Sequence, residues 1–163
     1  LVAFLGFFRA IPVLMLIFWT YFLLPIVFQI DVPAQATVVC ALSLIGGAYL
    51  AHSVYAGIHS LPAGQWAAAR ALGLRPWQVL RLVILPQAFR KMTPLLLLQS
   101  IILFQDTSLV YTVGLMDFLN SARSRGDIIG QANEFLIFAG LVYFVVSFTA
   151  SFAVKRLQKR LTV

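Results

Sequence analysis

Long apolar runs separated by short polar stretches fill most of the chain. Four of these runs, residues 1–24, 36–58, 92–115 and 135–154, have the length of a membrane span. A helix of about 20 residues at about 1.5 Å per residue crosses the hydrocarbon core of a bilayer. The pattern therefore predicts an all-α integral membrane protein with four visible spans in one transmembrane domain, residues 1–163.

The stretch between the second and third runs, residues 60–91, keeps apolar residues but changes their spacing. Pro62 and Gly73 bound one predicted helix, and Ser60 is its expected N-cap. A second predicted helix begins near Pro76 and ends before Pro86, which makes it too short to span a bilayer. The sequence thus predicts a helix, a glycine turn and a helix at the membrane surface.

Basic residues decide the orientation of the spans. The 60–91 loop contains five and no acid: Arg70, Arg75, Arg81, Arg90 and Lys91. The C-terminal tail contains four more: Lys155, Arg156, Lys159 and Arg160. By the positive-inside rule, the loop and the C-terminus face the cytoplasm. The other two links, one with Asp31 and one with the mixed charges of residues 117–134, face outward.

Composition excludes several classes of protein. With 61% hydrophobic residues, 10% charged residues and a mean hydropathy of +0.95, the chain does not fit a water-soluble domain. Its net charge of +7 is explained by membrane orientation, so we expect no nucleic-acid partner. The single Cys40 offers neither a disulfide framework nor a thiolate metal site. Because Leu1 opens directly into an apolar run without signal-peptide features, we expect sequence upstream of it.

Two interpretations of the basic loop follow from its residues alone. It could be an interfacial linker whose Arg and Trp side chains lie among lipid headgroups. Its first helix, however, carries the small residues Ala67, Ala68, Ala69 and Ala71 where a membrane anchor would need bulk. Small side chains allow close approach to another protein, so the pattern favours a helix that lies in a groove of a partner.

The loop also resembles the EAA loop of permease subunits in bacterial ABC importers. The residues that carry this resemblance are Gly64, Gln65, Ala68, Ala69, Leu72, Gly73, Leu85, Pro86, Gln87, Ala88 and Arg90. Gly57 and Ile58 before the loop, and residues 105–109 after it, extend the likeness to the five-span permeases for polar amino acids. Phe8, Arg9 and Pro12 are similar to that family's second span, which implies one further span upstream. Residues 101–111 are most similar to glutamate/aspartate permease subunits.

The resemblance implies one half of a translocation pathway in the bacterial cytoplasmic (inner) membrane, without ATPase activity of its own. It implies a second permease subunit, identical or not, and a cytoplasmic ABC ATPase dimer that binds ATP and Mg. A substrate-binding protein outside would deliver the amino acid. The residues implied to couple to the ATPase are Gly64, Gln65, Ala68, Ala69, Leu72 and Gly73.

Two departures from the family pattern bear on these expectations. Ala67 stands where the family commonly has Glu, so docking on the ATPase should depend more on shape than on charge. In the second span, His52 and Tyr55 replace an acid and an arginine of the family pattern. Because these two residues are three positions apart on one helix face, we expect a neutral hydrogen bond between them.

Several polar residues fall inside predicted spans. Asp106 lies near the expected middle of the bilayer, where an unpaired carboxylate costs several kcal/mol. The candidate pathway residues are Arg9, Gln99, Gln105, Asp106, Thr107 and Ser108. A structural hydrogen-bond network between helices is the alternative to a role in the substrate pathway. Arg9 either complements an acidic substrate or extends to the cytoplasmic interface.

Other functions fit the sequence less well. A membrane-embedded enzyme would need grouped catalytic residues, and the chain has two His, one Cys and no HExxH or phosphate-binding glycine loop. An ATP-independent channel or secondary carrier would show repeats or a sustained polar stripe, and neither is clear. A scaffold would keep the spans without the loop pattern. The permease interpretation therefore predicts a transport subunit that is not itself an enzyme.

Overall fold

The computed structural model describes residues 2–30 and 32–161, and every regular element within these ranges is helical. The helices are α1 (Val2–Ala10), α2 (Val13–Phe28), α3 (Ala34–His59), α4 (Ala63–Ala71), α5 (Pro76–Val113), α6 (Phe118–Ile129) and α7 (Ala132–Leu161). The predicted all-α fold class is confirmed. Asp31, assigned from the sequence to an outward link, lies outside the described residues.

The first predicted span, residues 1–24, contains a sharp bend. Helices α1 and α2 meet at 99°, and α2 continues to Phe28. Pro12 causes the bend, because its backbone is extended (φ −57°, ψ 136°) and a proline disfavours a helical residue before it. In the described residues, α3, α5 and α7 are each long and apolar enough to cross a membrane, and the bent pair makes up to four spans.

The second loop helix and the third predicted span form one helix. The sequence predicts an end before Pro86, but α5 continues through it as far as Val113. The reason is a π-helical turn over Val79–Ile84, after which the Leu85 N–H bonds to the Leu80 carbonyl five residues back. This wider turn moves the preceding carbonyls away from the proline ring, which would otherwise break the helix.

The start of α4 also differs from the prediction. Pro62, not Ser60, occupies the N-cap position of α4. Ser60 closes α3 instead, and its hydroxyl donates to the Gly57 carbonyl at 2.8 Å. Gly73 ends the loop helix as predicted, with a φ of +78° that favours glycine.

Helix α3 packs antiparallel against α5, and α5 packs antiparallel against α7. Gly57 of α3 adjoins Met92, and Gly46, eleven residues earlier, adjoins Leu103. On the other side of α5, the rings of Phe104 and Tyr143 lie 5.3 Å apart. The basic loop and the basic C-terminal tail consequently lie at the same end of the helix bundle.

A buried core joins α2, α3 and the C-terminal end of α5. Its members are Leu16, Ile17, Val38, Ala41, Ile45, Val110 and Val113. Outside this core, large apolar side chains remain exposed, including Ile26 (73%) on α2 and Ile137 (65%) on α7. Such surfaces are stable in lipid, where apolar side chains need no cover from water.

Candidate functional site

Helix α4 rests on a small apolar cluster that belongs to the loop itself. The cluster consists of Leu61, Ala69, Val79, Ile84 and Ala88, and Trp66 packs against it. Val79, Ile84 and Ala88 are completely buried. The loop is therefore a folded unit anchored on the π turn of α5, not a flexible linker.

The predicted coupling residues divide between the two faces of this unit. Gly64 and Ala68 lie four residues apart on an exposed face of α4, and Leu72, directly after the last residue of α4, is 81% exposed. Gln65 and Gly73 are exposed as well. Ala69 lies on the opposite face and is 3% exposed, so its small side chain serves the close packing of α4 on α5.

Two polar contacts fasten the loop to α5, one from Gln65 of α4 and one from Ser60 at the end of α3. Gln87 Nε2 donates to Gln65 Oε1 at 3.4 Å and to the Val83 carbonyl at 2.9 Å. Lys91 Nζ donates to the Ser60 carbonyl at 3.3 Å. Because the contact between Gln65 and Gln87 joins α4 to α5, displacement of α4 relative to α5 would break it.

The surface around α4 is basic and contains exposed apolar side chains. Arg70, Arg75 and Arg81 are all exposed, and no acidic residue lies between Ser60 and Lys91. Trp77 is 64% exposed and Leu82 is 61% exposed. Sequence reasoning did not select these two residues, since their exposure depends on which face of α5 packs against α4.

The candidate pathway residues cluster where α5 tightens. Asp106 ends the α-helical part of α5, and a 3₁₀ segment over Thr107–Val113 follows it. At about 2 Å per residue, Asp106 lies about 14 Å before the C-terminal end of α5. Gln99 is seven positions earlier, nearly two helical turns away, and is half-buried.

The hydroxyls beside Asp106 bond within their own helix. Thr107 donates to the Phe104 carbonyl at 2.6 Å, and Ser108 donates to the Gln105 carbonyl at 2.8 Å. For the residues that the structure covers, no hydrogen bond or ion pair joins Asp106 to another side chain. The predicted alternative, a hydrogen-bond network from these residues to other helices, therefore does not form within this part of the chain.

Arg9, near the end of α1, makes its contact with α3. Its guanidinium lies over the Tyr49 ring of α3, 5.4 Å from the centroid, and its Nε is buried without a hydrogen-bond partner among the described residues. Tyr49 is ten residues, or about 15 Å, from the His59 end of α3. This position supports Arg9 as a charge within the bundle, and Tyr49 is a contact that the sequence analysis missed.

The expected hydrogen bond between His52 and Tyr55 is absent from the described residues. The Tyr55 ring instead stacks on His59, with centroids 3.9 Å apart, and His59 Nδ1 lies 2.9 Å from the Tyr55 carbonyl. Tyr55 stacks on His59 and does not bond to His52, because His59 is four positions away, where two aromatic rings on a helix overlap directly. Within the residues described, the acid and arginine pair of the family pattern thus has no hydrogen-bonded replacement at His52 and Tyr55.

Apolar spans with a folded, basic helix-turn-helix between them define a multi-pass membrane protein. The whole chain, residues 1–163, matches the family described as the binding-protein-dependent transport system inner membrane component, and it belongs to that family. It is accordingly a multi-pass inner-membrane permease subunit of an ABC transporter. Such a permease works with an ATPase and a binding protein, and the ATPase activity lies in a separate subunit, so the chain is not an enzyme.

Individual relatives agree with this assignment. The chain is 44% identical over 166 residues to the glutamate/aspartate import permease protein GltK of Escherichia coli O6:H1 (strain CFT073), covering 97% of this chain and 74% of GltK. It is 36% identical over 157 residues to the probable glutamine ABC transporter permease protein GlnP of Bacillus subtilis (strain 168), covering 94% of this chain and 72% of GlnP. These names confirm the predicted family of amino acid permeases.

Solved structures show the same fold. The crystal structure of an amino acid ABC transporter with histidines superposes with a TM-score of 0.89 at 28% identity, covering 97% of this chain and 73% of that one. An inward-facing structure of the MetNI methionine ABC transporter gives a TM-score of 0.79 at 23% identity, covering 99% and 74%. The second likeness concerns the fold alone.

Proposed function

We propose that this chain forms half of the pathway of an importer for polar amino acids, with glutamate and aspartate as the first candidates. The observation that carries this proposal is the exposed face Gly64–Ala68–Leu72, held rigidly from behind by the buried cluster of the loop. The 44% identity to a glutamate/aspartate permease supports the choice of substrate. The buried Arg9 Nε, which has no hydrogen-bond partner in the part of the chain that the structure describes, supports an acidic amino acid as substrate.

The exposed face of α4 would dock on an ATPase dimer that binds ATP and Mg. Helix α5 is continuous from Pro76, in the loop, to Asp106 and the 3₁₀ segment beyond. Because Ala69 and Gln65 fasten α4 to α5, a movement of α4 would be transmitted along α5 to the pathway residues. The ATPase would in this way shift the balance between inward-open and outward-open states. A second permease subunit, identical or not, would supply the other half of the pathway.

The distribution of charge supports the orientation. Nine basic residues of the loop and the C-terminal tail lie at one end of the bundle, which we assign to the cytoplasm together with the C-terminus. The end that carries α6 would then face outward and receive the binding protein.

Replacement of Ala68 tests the docking. Ala68→Arg places a long charged side chain on the exposed face and should reduce copurification of the ATPase at least about tenfold, with normal amounts of permease in the membrane. Ser121→Arg, an exposed position on α6, is the control and should copurify normally. Undiminished copurification by Ala68→Arg, or amino acid uptake that persists without ATP hydrolysis, would contradict the proposal.

A further inference from the structure

A polar cavity of about 470 Å³ opens between α6 and the 3₁₀ end of α5. Its lining includes Tyr111, Thr112, Asn120, Arg123, Ser124 and Asp127. The cavity lies at the end of the bundle opposite to the basic loop. It involves none of the candidate pathway residues, yet Tyr111 and Thr112 belong to the segment that starts directly after Asp106.

Arg123 is held at the rim of this cavity by two partners. Its Nη1 donates to the Tyr111 hydroxyl at 3.0 Å, and its guanidinium carbon lies 5.4 Å from the centre of the Tyr111 ring. On the other side, Arg123 Nε lies 3.8 Å from a carboxylate oxygen of Asp127. The Tyr111 contact distinguishes this arrangement from an ordinary surface ion pair, because it joins two helices across the cavity.

The Arg123 guanidinium, 48% exposed at the rim, keeps donors available for a ligand. A guanidinium has five N–H donors in a rigid plane, and the planar fork matches a carboxylate with two parallel hydrogen bonds. The Asp127 carboxylate, close beside it, offers the complementary charge for an ammonium group. Adjacent guanidinium and carboxylate groups therefore match the adjacent carboxylate and ammonium of a free α-amino acid.

We propose that this cavity is an outer subsite that receives the α-amino acid as a zwitterion after its release from the binding protein. The subsite recognises the groups common to all α-amino acids and leaves the choice of side chain to other contacts. Tyr111 lies five residues, or about 10 Å, beyond Asp106 along the 3₁₀ segment, so the subsite adjoins the proposed pathway. This inference depends on the proposed function as an amino acid importer.

The test uses the complete transporter in vesicles, with its ATPase and with binding protein loaded with radiolabelled L-glutamate or, separately, L-glutamine. The measured quantity is the number of amino acids taken up per ATP hydrolysed. Arg123→Gln should lower this ratio about fivefold, since an amino acid that is not captured escapes while the cycle continues. Arg125→Gln is the matched control, because Arg125 is exposed on the same helix and does not line the cavity.

Equal ratios for Arg123→Gln and Arg125→Gln, with normal wild-type uptake, would overturn the subsite alone. A parallel loss of uptake and ATP hydrolysis in Arg123→Gln would also overturn it, because that result indicates a role in docking or folding. Failure of the wild-type transporter to take up either amino acid with ATP would contradict the proposed function itself.

A lipid headgroup such as phosphoethanolamine carries the same pair of charges. Vesicles of phosphatidylglycerol and phosphatidylcholine, without phosphatidylethanolamine, separate this source from the amino acid. We expect Arg123→Gln to take up fewer amino acids per ATP hydrolysed both in these vesicles and in vesicles that contain phosphatidylethanolamine. An effect confined to vesicles that contain phosphatidylethanolamine would overturn the assignment to an amino acid.

Discussion

At the scale of single residues, Asp106 stands out because the described side chains around it offer its carboxylate no partner. Thr107 and Ser108 bond to carbonyls of their own helix, and no described side chain pairs with the Asp106 carboxylate. A carboxylate at membrane depth costs several kcal/mol unless something compensates for it. We therefore expect a partner outside the described chain, and a substrate ammonium group is the one that suits a carboxylate.

Substitution of Asp106 by Asn distinguishes contact with the substrate from a structural role. The change keeps the shape of the side chain and removes its charge. The concentration of loaded binding protein that gives half-maximal uptake should therefore rise about tenfold. The amount of permease in the membrane should stay normal. Glu134→Gln, the same chemical change at the exposed start of α7, should leave both quantities unchanged. A drop in membrane level for Asp106→Asn, without any change in that concentration, would identify a structural brace instead.

At the scale of helices, two glycines of α3 provide a matched pair. A Cβ at Gly57 would lie 2.8 Å from Met92 Cβ, whereas a Cβ at Gly47 would meet no atom of the described residues within 4 Å. Gly57→Ala should therefore force α3 away from α5 and destabilise the fold by about 1–3 kcal/mol. The midpoint of thermal unfolding in detergent should fall by about 3–10 °C for Gly57→Ala.

Gly47→Ala adds the same methyl group to the same helix and should leave that midpoint unchanged or slightly higher, because alanine favours the helix. Equal midpoints for the two variants would show that the contact between Gly57 and Met92 does not limit the approach of α3 to α5.

The sequence predicted the helical spans correctly but misplaced helix ends near Pro86 and Ser60. Apolar runs predicted the helical spans because membrane depth requires every backbone group to bond within its own helix. The end of the second loop helix at Pro86 was wrong, since the π turn over Val79–Ile84 accommodates the ring and no simple residue pattern marks such a turn. Ser60 was misassigned because α3 ends and α4 begins near it, and a hydroxyl can serve either helix.

At the scale of the whole molecule, α5 connects the loop to the candidate pathway residues. It begins beside α4, passes Asp106 and ends at the cavity lined by Tyr111. The family resemblance identified candidate residues along this helix, but not their environments. The burial of Ala69 and the contact of Arg9 with Tyr49 depend on how separate helices meet, which spacing along one chain does not encode.

The orientation of the molecule can be tested with its single cysteine removed. In a Cys40→Ser background, Ser121→Cys on α6 and Ala68→Cys on α4 place one exposed thiol at each end of the bundle. If the basic end faces the cytoplasm, a membrane-impermeant maleimide added outside should label Ser121→Cys and should reach Ala68→Cys only after the membrane is opened. Labelling of Ala68→Cys in closed cells would reverse the orientation. It would place α4 out of reach of a cytoplasmic ATPase, and no ATPase could then drive the proposed coupling along α5.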